Sequence, residues 1–393
     1  MENIYRKKAE AMKGETVGLY RRLHRCPEVA HEEVRTHQVI RETLKGWGIG
    51  YEAPKDNVTV ALVEGKRPGA TVGIRCDTDA LPVTEETGLE YASENPGVMH
   101  ACGHDGHMAM GLCAARMLAE DRGTLAGRVK VIFQPAEEGE RGADEVMATG
   151  LVDDVDVFFA IHLWSPHKTG TLHVAPVAVS AAVDMFEAVI EGKGGHGATP
   201  EKCFDAICAG AAMVQSMQTI VSRRISPMKA AVVTVGSFHA GTVGNVVAGE
   251  ARLRGTMRAL DEETRVTLVE ELDNIGREIG AAYHCRVEIR NERISDAVIN
   301  DERAAALARE CAVAVAGEEH VEGQWAMMLG DDIANYGRIA PICYAQLGVA
   351  DEKKGSDVAH HNGRFRIDED VLPTGAAWMA EFARRAGEMW RKH

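Results

Sequence analysis

Apolar segments alternate between helical and strand periods over the first part of the chain, and from Val183 the rhythm changes. That switch limits the possible folds more than any other feature. Before it, helical spacing runs over Ile4–Leu23 and Arg35–Trp47, and a helix rich in Ala, Met and Leu lies near Gly106–Ala119. Short apolar strands fall at Val58–Val63, Val72–Arg75, Val129–Phe133 and Val157–Ile161. Strands alternating with helices specify an α/β sheet covered by helices. After the switch the order is strand Val183–Glu191, helix Phe204–Arg223, strands Ala230–Ser237 and Glu250–Arg258, helix Glu262–Gly280 and strand Cys285–Ile289. This β-α-β-β-α-β order is that of a ferredoxin-like unit. A helix over Asp301–Ala316, a strand over Ile342–Leu347 and a helix over Asp368–Trp390 return the chain to its first domain. Two domains also suit 393 residues, too many for one compact core.

Bulk properties narrow the function classes. A hydrophobic fraction of 45% and a charged fraction of 26% describe a globular chain. The net charge of −15 supplies no broad basic field, so nucleic acid is not an expected partner. No run reaches the roughly 18 apolar residues of a membrane span. The stretch Met1 to Arg22 is basic throughout without an apolar core, so no signal peptide is expected. Nine cysteines without a CxxC pair then read as reduced thiols in a cytoplasmic protein.

The chemistry-bearing residues gather near strand ends, where open α/β sheets place their sites. The densest run is His100-Ala101-Cys102-Gly103-His104-Asp105-Gly106-His107. A polar loop capping the next helix, with Asp105 as N-cap, would explain part of it. Three histidines, a cysteine and an aspartate in eight residues point further, to a site for a borderline metal. Phe133-Gln134-Pro135-Ala136-Glu137-Glu138-Gly139-Glu140 follows a strand, and adjacent carboxylates repel unless a cation or solvent intervenes. His162 ends an apolar strand, where a lone histidine is more often a satisfied core residue. Ala359-His360-His361-Asn362 offers a further ligand pair. In Arg75-Cys76-Asp77-Thr78-Asp79 the strand period turns Asp77 and Asp79 to one side.

These segments together resemble a known group, the di-metal aminoacylase, hippurate hydrolase and auxin-conjugate hydrolase branch of the family-twenty metallopeptidases. The resemblance is carried by LYRRLHRCPEVAHEE, RCDTDALP, HACGHDGHMAM, FQPAEEG, AIHLW, GKGGHGATP and HHNGRFRIDEDVLP, in that order along nearly the whole chain. It implies a zinc-exopeptidase-like catalytic domain over 1–182 and 297–393, a mixed sheet flanked by helices. A ferredoxin-like α+β lid and dimerisation domain over 183–296 would be inserted in it. It implies two divalent metal ions, zinc or manganese before cobalt or nickel, held by Cys102, His104, Glu138, His162 and His361. His361 is preferred to His360 because it lies four residues before Phe365, as in the family's terminal motif. Glu137 would be the general base, Asp79 the orienter behind a ligand, and His196 the group that polarises the scissile carbonyl. Asn245 and Arg258 would hold the substrate's carboxylate. The implied activity is hydrolysis of the amide bond of N-acyl amino acids or related conjugates by a homodimer.

Departures from the family pattern fall at Gly363 and in Asn245-Val246-Val247-Ala248, both lacking the usual proline. Leu329-Gly330-Asp331-Asp332 replaces a Gly-Ser-Glu-Asp run, and Pro200-Glu201 lacks a histidine, differences that bear on substrate choice. A dipeptidase or carboxypeptidase is the alternative enzyme reading. A non-catalytic metal-dependent binding protein would not need Glu137, and a structural zinc module would not spread its ligands from 102 to 361.

Overall fold

The structure, a computed structural model, describes residues 3–139 and 141–390. Glu140, at the end of the acidic run, lies outside the described residues, as do Met1, Glu2 and the last three residues. The chain divides into two compact units. One comprises Met1–Val177, Ile299–Trp325 and Asp332–His393, the other Ala178–Val298 and Ala326–Asp331. The second unit begins at Ala178 and takes up 326–331 because backbone bonds join these stretches: Met327 donates to Val179 at 2.8 Å and Ala181 to Leu329 at 2.8 Å.

The first unit is built on an eight-stranded mixed sheet. Four parallel strands form its centre, in the order Ala126–Gln134, Arg67–Asp77, Val157–Lys168 and Ile342–Ala350. Buried on both faces, they read as continuous apolar runs rather than alternating ones. Strands Gly50–Lys55 and Val58–Glu64 close one edge antiparallel, and the two-residue strands Leu172–His173 and Val321–Glu322 close the other. The strand Val157–Lys168 runs well past Ile161, so His162 sits within it, opposite Gln346, rather than at its end. The apolar run continues through Leu163 and Trp164, which carries the ladder onward.

Helix His104–Glu120 is almost wholly buried, together with Leu372–Met389. Its approach to the sheet depends on Gly106, where a Cβ would lie 2.4 Å from Leu163 Cδ1. The helix is entered through Gly103 at φ 91°, a left-handed turn that favours glycine. No side chain caps it: Asp105 lies inside the first turn, its Oδ2 turned to His24 at 2.6 Å. The expected helix Ile4–Leu23 is two, Ile4–Ala11 and Lys13–His24, broken at Met12. The last helix starts at Leu372, because 369–371 form a tight 3₁₀ turn. No helix among the described residues is long and apolar enough to cross a membrane.

The second unit is a four-stranded antiparallel sheet in the order Ala231–Ala240, Glu250–Ala259, Ala182–Glu191, Arg286–Ser295. Helices Ala206–Thr219 and Glu262–Tyr283 pack on it around Phe186, Ile190, Leu253, Met213 and Leu268. Asp205 caps the first of these, so it starts at Ala206, and it widens into a π-turn over Ile220–Arg224. Numbered within the unit, the spatial order is 4-1-3-2, the ferredoxin-like arrangement.

One buried histidine in the first unit makes the fold sensitive to acid. His37 is fully buried between the hydroxyls of Thr59 at 2.9 Å and Thr78 at 3.2 Å. Burial, aided by the Arg41 cation, pushes its pKa down to about 3. The unfolded chain therefore takes up this proton first, so the contribution is fully present above pH 6.5 and is lost as pH falls toward 3. Urea unfolding of wild type and His37→Asn at pH 7.5 and 5 checks this. The loss of stability over that interval should be about 2 kcal/mol smaller in the variant; equal losses would remove His37 from the account.

Candidate metal centre

The ligand-bearing loops converge in the first unit. Three overlapping sets place their potential ligand atoms within 4.8 Å of one another: Cys102, His104 and His162; Cys102, Glu138 and His361; and His104, Glu137 and Glu138. Cys102, His104 and Glu138 each belong to two sets, as ligands shared between neighbouring cation positions would. All five expected ligands and Glu137 are thus brought together.

Hydrogen bonds decide which histidine nitrogens are available. His104 donates from Nδ1 to the Asp79 carbonyl at 2.8 Å, so Nε2 is the nitrogen a cation can take once its proton is displaced. Among the described residues that nitrogen is buried without a hydrogen-bond partner, 3.6 Å from Asp77 Oδ2 and 3.9 Å from Glu137 Oε2. His162 donates from Nδ1 to the Leu163 carbonyl at 2.7 Å, and its Nε2 lies 3.6 Å from Cys102 Sγ. His361, held at φ 62° with its amide on Ala101 O at 2.8 Å, places Nε2 3.1 Å from Glu138 Oε1. His360 has both nitrogens committed: Nε2 donates to Leu163 O at 3.0 Å, and Nδ1 accepts from Ser165 at 3.1 Å. So has His107, which donates to Asp77 Oδ1 at 2.5 Å and accepts from the Leu163 amide at 2.9 Å. The peptide groups of Leu163 therefore fix three histidines.

The charges around the centre call for cations. Burial, with Glu138 and Glu137 nearby, pushes the Cys102 thiol well up. Burial works against a charged His104, but Asp77, Asp79 and Glu138 outweigh it and raise its pKa to about 10. Burial, with the neighbouring His107 and His360, holds His162 well below its ordinary value. A thiol, neutral imidazole nitrogens and carboxylates form a donor set that suits borderline divalent ions, and such ions replace the protons that otherwise balance the carboxylates. The lone His104 Nε2 among acidic neighbours fits this assignment.

Behind the ligands lies a network only partly visible in the sequence. Asp77 ends its strand, whereas Asp79 lies beyond it, so the two aspartates arrive by different routes rather than on one strand face. Asp79 Oδ2 accepts from the Glu138 amide at 3.0 Å. Burial would raise the Asp77 carboxyl, but Arg75 and the two histidines hold it well below the carboxylate range. Arg75, itself buried, bonds Asp77 at 2.5 Å, Asp332 at 2.9 Å and Gln134 at 3.0 Å. Arg75 and Gln134 stood inside quoted motifs, yet only their burial marks them as part of the support. His24, buried between Asp105 and Glu85, is raised to about 9 by them against the effect of burial.

The other expected residues belong to the second unit. His196 is exposed on a two-residue strand, paired with Val246. Asn245 adjoins that pairing, its carbonyl accepting from Gly197 at 2.9 Å. Arg258, half-buried near the far end of strand Glu250–Ala259, donates to Thr256 at 2.9 Å. The Gly192 amide bonds Gly249, so the His196 turn adjoins the start of that strand. Eight residue steps, roughly 26 Å, separate Glu250 at that start from Arg258. His196 and Asn245 are brought together, but Arg258 does not join them within one chain.

The chain is similar to known hydrolases. The chain matches peptidase family M20/M25/M40 over residues 73–385. It is 41% identical to an N-acyl-L-amino acid amidohydrolase of Geobacillus stearothermophilus over 293 residues, 74% of this chain and 79% of that one. Thermostable carboxypeptidase 1 of Saccharolobus solfataricus is 32% identical over 92% of both chains. Among solved structures, the YXEP protein of Bacillus subtilis, a dinuclear metal-binding peptidase of the M20 family, superposes with a TM-score of 0.85. It is 30% identical, over 96% of this chain and 99% of that one.

The two adjacent histidines near the C-terminus separate by experiment. His361→Ala should lose about one bound cation per chain, because it removes an available nitrogen. His360→Asn should keep the metal content, and elemental analysis of dialysed protein reads the difference. The opposite pattern would exchange their roles.

Proposed function

The chain belongs to peptidase family M20/M25/M40, and from that premise we propose that it is a metal-dependent amidohydrolase cleaving the amide bond of N-acyl amino acids or amino-acid conjugates. One observation carries the reading beyond metal binding: the centre holds two adjacent carboxylates at His104, and only Glu138 also groups with Cys102 and His361, so Glu137 is one carboxylate more than the five expected ligands. The amidohydrolase relative supports the acyl amino acid as substrate. The carboxypeptidase relative supports the second reading, peptide substrates cut by the same centre.

Two divalent cations held by Cys102, His104, Glu138, His162 and His361 would supply Lewis acidity and lower the pKa of a water. Glu137 takes the proton of the attacking water and delivers it to the leaving nitrogen. Asp79 orients the centre from behind, through its carbonyl on His104 and its carboxylate on the Glu138 amide. His196 donates to the developing oxyanion. Asn245 and Arg258 receive the substrate carboxylate, for which a guanidinium offers paired donors. Zinc is favoured by the thiol and imidazoles and manganese by the carboxylates, while cobalt and nickel fit the same set. A cytoplasmic setting agrees with nine cysteines that are all unpaired.

The same reading includes a homodimer formed through the second unit. Arg258 stands far along its strand from His196 and Asn245, and a partner chain would supply what one chain separates. The strand Ala231–Ala240 is an edge of its sheet, with Phe238, Ile207, Val243 and Val246 exposed nearby. An unpaired edge beside apolar side chains is a surface for a second copy.

Two experiments test the function. Reconstituted protein should carry two ions per chain; Glu137→Gln should keep them while turnover falls about 10²–10⁴-fold, and Glu138→Gln should lose metal. Activity in metal-free protein, or the reverse pattern in the glutamates, would end the reading. For the shared site, Glu137→Gln and His196→Ala are refolded together. A histidine acting across the dimer leaves one intact site in each mixed pair, so activity returns. Confirmed mixed dimers without activity would place His196 in its own chain's site.

A further inference from the structure

The stretch Leu19–Glu33 carries part of the family resemblance, and beyond His24 it has no part in the centre described above, although it buries the Glu33 carboxylate completely. Glu33 stands directly before helix Val34–Gly46, where a polar side chain ordinarily caps its own helix. It makes no cap bond. Glu28 does that work, accepting from the amides of Arg35 at 3.1 Å and Thr36 at 2.8 Å. Glu33 Oε1 instead accepts from the amide of Ala136 at 2.8 Å, on the loop that presents the two glutamates. Its Oε2 is buried without a hydrogen-bond partner among the described residues.

Ala136 is itself unusual. It is fully buried at φ 53°, a left-handed conformation that costs a residue with a Cβ and persists only where the surroundings hold it. Its carbonyl is also tied, accepting from Gly142 at 3.0 Å. Two residues on, the Glu138 amide is held by Asp79. Glu137 therefore lies between two amides, each anchored on a buried carboxylate.

We propose that Glu33 is a positioning residue for the Glu137–Glu138 pair: it clamps the Ala136 amide so that the loop turns left-handed, brings both carboxylates to His104 and lets Glu138 also reach Cys102 and His361. This rests on the metal-centre reading above. Without the clamp, Ala136 relaxes to an ordinary conformation, and the rotation passes through the next peptides to both glutamates.

The test uses the full chain and three variants, each checked for cooperative unfolding. Hydrogen exchange of the amides of residues 136–139 reads the clamp without any metal, and Zn²⁺ titration reads its consequence. Glu33→Ala should speed exchange and weaken Zn²⁺ binding about 10–100-fold, as loss of a supporting partner does. Glu33→Gln keeps an acceptor oxygen and should preserve both. Glu33→Ala combined with Ala136→Gly should recover part of the affinity, because glycine enters the left-handed region without a Cβ penalty. Folded Glu33→Ala with wild-type exchange and affinity overturns the proposal. So does Glu33→Gln as impaired as Glu33→Ala, or a double variant no better than the single one. Wild-type protein that binds no Zn²⁺ would instead overturn the metal reading, while the exchange rates still decide the clamp.

Discussion

Asp77, Asp79, Glu137 and Glu138 converge on His104, and the organisation of the first unit follows from making that concentration of negative charge tolerable. Like charges brought together away from water raise one another's energy unless cations intervene. The buried Arg75 supplies a permanent cation, which bridges Asp77 and Asp332. The remaining charge is left for exchangeable cations, and the Nε2 of His104 faces it without a hydrogen-bond partner among the described residues. A centre built this way binds divalent ions through its own frustration.

The parallel sheet and the buried helix His104–Glu120 deliver these groups to one place. Strand Arg67–Asp77 brings Arg75 and Asp77, its neighbour Ala126–Gln134 leads into the Glu137–Glu138 turn, and Val157–Lys168 carries His162. Gly106 lets the helix start against Leu163, so that the peptide groups of that residue reach His107, His162 and His360. Backbone hydrogen bonds of a central strand are among the least mobile features of a fold, which makes them suitable for holding imidazole rings in one tautomer.

The second unit solves a different problem. Its antiparallel sheet sets His196 and Asn245 on a short paired turn and Arg258 at a distance along the strand. The groups proposed to recognise a substrate are thus carried on a unit with its own core, around Phe186, Leu253 and Leu268. Substrate preference can then vary there, as at Asn245-Val246-Val247-Ala248, without disturbing the buried charges of the first unit.

Much of this was legible from residue order alone. Apolar periodicity located the α/β part and the β-α-β-β-α-β part, because burial imposes a period of 3.6 on helices and 2 on half-exposed strands. The concentration of Cys102, His104, Glu137 and Glu138 near strand ends marked the candidate centre, which the fold draws together. Three things were decided only in three dimensions. The strand of His162 runs on to Lys168, because cross-strand pairing with Ile342–Ala350 sets its length and local composition does not. Asp105 does not cap its helix, because His24, 81 residues earlier, takes its carboxylate. The choice among His104, His107, His162, His360 and His361 rests on which ring nitrogen stays uncommitted. That depends on Asp79 and Leu163 as hydrogen-bond partners, and neighbours in space are not written in the spacing of residues along the chain.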